Sequence, residues 1–193
     1  FEAGPRTEVI AKLVPRALWW FRWAAALTVL SGLSILAFQK NLNNMDYFKS
    51  ATGISIATGV LFGLTMFANV WMVIWPNQKI VIANAQGLQA GRDPDPAAAA
   101  AGRKGLLASR TNTFFSLPML FFMAFTSHLS GHYAAHPTGG DRLKYWLVVL
   151  VIWLLAELNG LRLLAGTGPW TRKKYLDNHP HRLGAGVNAT AVD

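Results

Sequence analysis

The sequence predicts an all-α integral membrane protein, a four-helix transmembrane bundle with both termini in the cytoplasm. Three observations lead there. Hydrophobic residues make up 52% of the 193 residues and charged ones only 14%. The apolar residues come in blocks at about 17–38, 52–75, 112–130 and 145–165, each close to the roughly 20 residues that carry a helix across about 30 Å of hydrocarbon. The basic residues are placed unevenly around those blocks. Arg6, Lys12, Arg16, Lys79, Arg92, Arg103, Lys104, Arg110, Arg172, Lys173, Lys174 and Arg182 would lie on one side, and Lys40, Lys49, Arg142 and Lys144 on the other. Cytoplasmic flanks carry the excess of Lys and Arg, so the first set is read as inside. The formal net charge of +9 then follows from topology, and no nucleic-acid partner is expected.

Each element can be justified in turn. Residues 1–16 form an interfacial N-terminal segment: "TEVIAKLVPR" sets Val9, Ile10, Leu13 and Val14 on one helical face, the pattern of a short helix lying in the headgroup region before Pro15 starts the first span. Trp19, Trp20 and Trp23 open that span and Trp71 and Trp75 close the second; Tyr145 and Trp146 open the fourth. These are positions for an aromatic belt. The third span carries Pro118, which neighbouring helices can accommodate. Residues 76–111 are expected as a cytoplasmic loop, with Asp95 capping a short alanine helix begun by Pro96 and ended by Gly102. Residues 166–193 are expected as an extended cytoplasmic tail.

Ionisable groups inside a span each need a partner or a purpose. Arg22, Asn69, Glu157 and Arg162 would fall in the same leaflet, and a buried polar cluster with Glu157 paired to Arg22 or Arg162 is the simpler reading. The sharper one makes Glu157 a proton-relay or cofactor-side carboxylate. In "TSHLSGHYAAHP", His128, His132 and His136 recur every four residues, a spacing that puts imidazoles one turn apart. Gly131 and Pro137 interrupt the row, so His128 with help from His132 is the candidate set for a b-type haem or a metal. The alternative is a hydrogen-bonding residue at the interface. The chain has no cysteine, which removes thiolate metal sites, iron–sulfur clusters and covalent haem attachment.

Three stretches, "ALWWFRWAAALTVLSGLSIL", "GLTMFANVWMVIWPNQKIVIANAQGLQAGRDPDP" and "SRTNTFFSLPMLFFMAFTSHL", resemble the later half of the membrane domain of bacterial membrane-bound urate hydroxylases, the urate oxidase N-terminal domain. The resemblance covers about residues 15–165. Its colinear set is Asn69-Val70, Pro76-Asn77-Gln78-Lys79, Asp95-Pro96, Arg110, Asn112 and Leu117-Pro118. It implies a multi-pass protein of a bacterial inner membrane, near quinone or cytochrome electron transfer. The family joins this domain to a cytochrome c, for which this cysteine-free chain has no motif. Where the family carries further histidines, this chain reads "SIATGVLFG", "ASRTNT" and "WLLAELNGL", and only His128 matches. The combined expectation is an accessory or structural subunit of a larger membrane complex, in contact with lipid and other subunits and without catalysis of its own. A haem- or metal-binding part of a redox enzyme is the alternative.

Overall fold

The computed structural model describes residues 3–39, 43–129 and 137–161, and every regular element among them is helical. The chain runs through α1 (Ala3–Lys12), α2 (Val14–Phe38), α3 (Met45–Lys49), α4 (Ala51–Ala68), a first π-helical segment (Asn69–Ile74), α5 (Trp75–Gln89), α6 (Ala97–Ala124), a second π-helical segment (Phe125–Leu129) and α7 (Gly139–Gly160). Helix starts follow local chemistry. Asn44 Oδ1 accepts from the amides of Asp46 and Tyr47 to begin α3, and Ser50 Oγ accepts from Gly53 N to begin α4. Thr138 and Asp141 cap α7 reciprocally. Three helices are long and apolar enough to cross a membrane: Val14–Phe38, the continuous rod Ala51–Gln89, and Gly139–Gly160.

The expected end of the second helix at residue 75 is absent, although Pro76 follows it. A proline ring inside a helix clashes with the carbonyl four residues back and leaves it without a donor. Here the chain widens into the π-helical turn just before it, where Trp75 N donates to Val70 O, and α5 continues to Gln89. The rod of 39 residues is about 58 Å long at 1.5 Å per residue, roughly twice the hydrocarbon thickness. It ends in a glycine stop: Gly91 has φ 76, Gly91 N donates to Leu88 O, and Arg92 N donates to Gly87 O.

The segment expected as a loop is therefore mostly a helical hairpin. Asp95 Oδ1 does accept from Ala97 N, but the helix it starts runs to Ala124 instead of ending at Gly102. Gly102 and Gly105 serve close packing here: a Cβ at Gly102 would touch Val81, and one at Gly105 would press on Gln78 at 3.3 Å. α6 holds the apolar 112–130 stretch in its second half, but its first half carries Arg103, Lys104 and Arg110, and it is not among the three sufficiently apolar helices. α1 packs against α5, with Ala11 buried while Val9 and Leu13 stay exposed.

The core lies between α4 with the first π-helical segment and α6. Phe115 and Thr58 are 0% exposed, and Phe115 packs against Phe62 at a centroid distance of 5.2 Å. α2 and α7 flank this pair loosely. Leu36 is the buried residue of α2, and Gly160 that of α7. His132, His136, Arg162 and the tail 166–193 lie outside the described residues.

Candidate functional site

One polar cluster joins three elements. Asn69 opens the first π-helical segment, 3% exposed, and its Nδ2 donates both to Asn112 Oδ1 on α6 at 3.0 Å and to Glu157 Oε2 on α7 at 3.2 Å. Asn112 Nδ2 in turn donates to the Met66 carbonyl at 3.0 Å. Both N–H groups of Asn69 are used, and so is the Asn112 amide on both sides. The Glu157 oxygen Oε1 takes no bond from the described residues, which leaves one carboxylate oxygen for a further donor.

Two more contacts tie α7 to α4 above this node. Tyr145 hydroxyl and Thr58 Oγ1 share a hydrogen bond of 2.8 Å, and Trp153 Nε1 donates to Thr65 Oγ1 at 2.9 Å. The three rungs 58–145, 65–153 and 69–157 ascend together, so α4 and α7 run parallel. At the foot, Gly160 lies so close to Thr111 of α6 that a methyl group there would collide with the threonine hydroxyl. Tyr145, expected as a belt residue, points its hydroxyl inward, and sequence reasoning missed Thr58, Thr65, Asn112 and Trp153 as its companions. Their signal was polar atoms within apolar blocks, which burial alone would oblige to find partners.

The expected pairing of Glu157 with Arg22 does not form. The ion pairs among the described residues are Lys12–Glu8 and Lys49–Asp46, both exposed. The Arg22 guanidinium carbon instead lies 3.6 Å from the Trp75 ring centroid and 5.2 Å from that of Trp71. The cation thus rests on indoles two and six residues beyond Asn69, and Glu157 bonds to Asn69 instead. Arg162, the other expected partner, is outside the described residues.

His128 lies on the second π-helical segment and is exposed. One to two turns before it, Phe121, Phe122 and Phe125 line a mostly apolar cavity of about 520 Å³ that also reaches Ser55, Asp141, Arg142 and Tyr145. Among the described residues no three His, Asp or Glu side chains come together to hold a metal ion.

The family profile described as urate oxidase N-terminal matches residues 43–160, well over half of the chain. The chain belongs to the urate oxidase N-terminal family. No curated protein and no solved structure gives a match. Within the urate oxidase N-terminal region, the motif residues Asn69 and Asn112, 43 positions apart, are the two that hydrogen-bond to each other at the node. Pro76 to Lys79 carry the rod past its π-helical turn, and Asp95 starts α6. The urate oxidase N-terminal match begins after α2 and covers α3 to α7.

Proposed function

We propose that this chain is a multi-pass accessory subunit of a larger electron-transfer complex in a bacterial inner membrane. It would cross the membrane four times, with α6 and the second π-helical segment as the third crossing and both termini in the cytoplasm. The observation that carries this reading is the bare apolar surface of α2 and α7. Trp20 is 69% exposed, Leu27 65%, Val148 59% and Ile152 54%, on helices that touch the central pair along one narrow edge. In water such faces would drive aggregation; in a membrane they are covered by lipid and by neighbouring helices. The electron-transfer setting rests on the family, whose description places this domain at the N-terminus of a urate oxidase. The interior supports a structural role, since its polar atoms are spent on holding helices together. Solubilising native membranes in mild detergent and identifying co-purifying subunits by mass tests this. A chain that runs alone and monodisperse at every ionic strength counts against it.

A second reading takes His128 and His132 as ligands of a haem or metal in a redox enzyme. It is favoured by the π-helical turn that carries His128, since such turns gather at functional sites, and by the aromatic cavity beside it. An optical spectrum of the purified complex decides: a Soret band that disappears in His128→Ala supports ligation, and a wild-type spectrum without one ends the haem reading.

A further inference from the structure

We propose that Arg22 and Lys79, gathered on the indole of Trp75, form a binding site for the phosphate of an anionic phospholipid. Arg22 stacks at 3.6 Å from the ring centroid, and Lys79 Nζ lies 5.8 Å from the same point. Neither cation makes an ion pair among the described residues, where the two ion pairs lie elsewhere. The neutral chemistry of this corner points the same way. Arg22 Nε and Trp71 Nε1 are buried N–H groups, and neither meets an acceptor among the described residues. The terminal amino groups of Arg22 are not closed off. The corner thus offers unused donors and positive charge among the described residues, so its complement is an anion that accepts.

Depth identifies the anion. Trp71 lies 20 residues beyond Ala51, about 30 Å along the rod, which is the thickness of the hydrocarbon layer. Arg22 is in the third turn of α2, among the exposed indoles of Trp19, Trp20 and Trp23, which mark the same boundary level. The abundant acceptor-only anion at that level is a lipid phosphate. A net negative headgroup is favoured over a zwitterionic one, because the ammonium of the latter competes with two protein cations. Stacking on Trp75 holds the guanidinium fork in place before the lipid arrives, so less side-chain freedom is lost on binding.

Native mass spectrometry of the whole chain in mild detergent tests this, with phosphatidylglycerol and phosphatidylcholine of matched chains and with inorganic phosphate. Wild type is expected to retain phosphatidylglycerol at least about five-fold over phosphatidylcholine, the worth of one surface cation. Lys79→Ala is expected to shrink that preference, and Arg22→Gln combined with Lys79→Ala to abolish it. Inorganic phosphate, lacking acyl chains, is expected neither to be retained nor to displace the lipid. Equal retention of both lipids by wild type overturns the assignment, as does a preference unchanged in the variants. Phosphate that binds and competes as strongly as the lipid also overturns it, and makes the site one for a free anion. Should Arg22→Gln fail to fold, Lys79→Ala decides together with wild-type tryptophan quenching, expected to be stronger with brominated phosphatidylglycerol than with the brominated choline lipid.

Discussion

Asn69 is the residue on which the interior depends, because each of its two N–H bonds satisfies a different helix. Glu157→Gln keeps an acceptor for it and is expected to cost less than about 1 kcal/mol. Glu157→Leu leaves a buried donor orphaned and is expected to cost about 1–3 kcal/mol. Thermal melts in detergent, read at matched lipid content, separate the two. The same melts address Arg22. Since Arg22 stacks on Trp75 and Glu157 bonds to Asn69, the two share no partner, and the losses from Arg22→Leu and Glu157→Leu are expected to add within about 0.5 kcal/mol. A double variant more stable than the sum would mean that the two side chains interact after all.

At the scale of elements, α7 is held by contacts that differ from those of a soluble helix. Lipid tails are as apolar as leucine, so burial adds little to association, and close approach and polar contacts decide it. The three rungs to α4 and the Gly160–Thr111 contact with α6 supply both. Gly160→Ala is expected to push α7 off α6 at a cost of about 1–3 kcal/mol. Gly32→Ala, where nothing lies within 4 Å of the added methyl, is expected to be neutral or slightly stabilising. Removing one rung by Trp153→Phe is expected to cost about 0.6–1.7 kcal/mol. Helix-specific proteolysis and melts of the three variants check this order; equal losses in Gly32→Ala and Gly160→Ala would refute it.

For the whole molecule, the antiparallel alternation of α2, α4, α6 and α7 places the α3 region and the start of α7 at one end and the α5–α6 hairpin at the other. In the proposed topology the excess of Lys and Arg puts the hairpin in the cytoplasm. Cysteines at Asn43 and Lys144, exposed positions that cap no helix, are expected to react with an impermeant thiol reagent in intact cells, and one at Ala99 is not. The reverse pattern would invert the protein. In that topology the length of the rod would carry the hairpin, against which α1 packs, clear of the bilayer.

The helical class and the positions of the apolar blocks were legible because block length and composition act locally: about 20 apolar residues suffice for a span wherever they occur. Asn69 as a buried polar group and Glu157 as a half-buried one were legible for the same reason, since a polar atom within an apolar block is visible without knowing its neighbours. Their partners were not. Whether Glu157 meets Arg22 or Asn69 depends on the axial level of α2 against the rod and on the rotation of α7, quantities that no single segment contains. Pro76 and Gly102 misled for a related reason. Each is a helix terminator by local chemistry, but a π-helical turn accommodates the ring of the first, and the approach of α5 gives the second a packing role. Sequence alone determined the helical class and the apolar blocks that lie in the three helices long enough to cross a membrane. Tertiary structure decided which polar atoms meet, because hydrogen bonds act over about 3 Å and only the packed arrangement brings residues 43 and 88 positions apart within that reach.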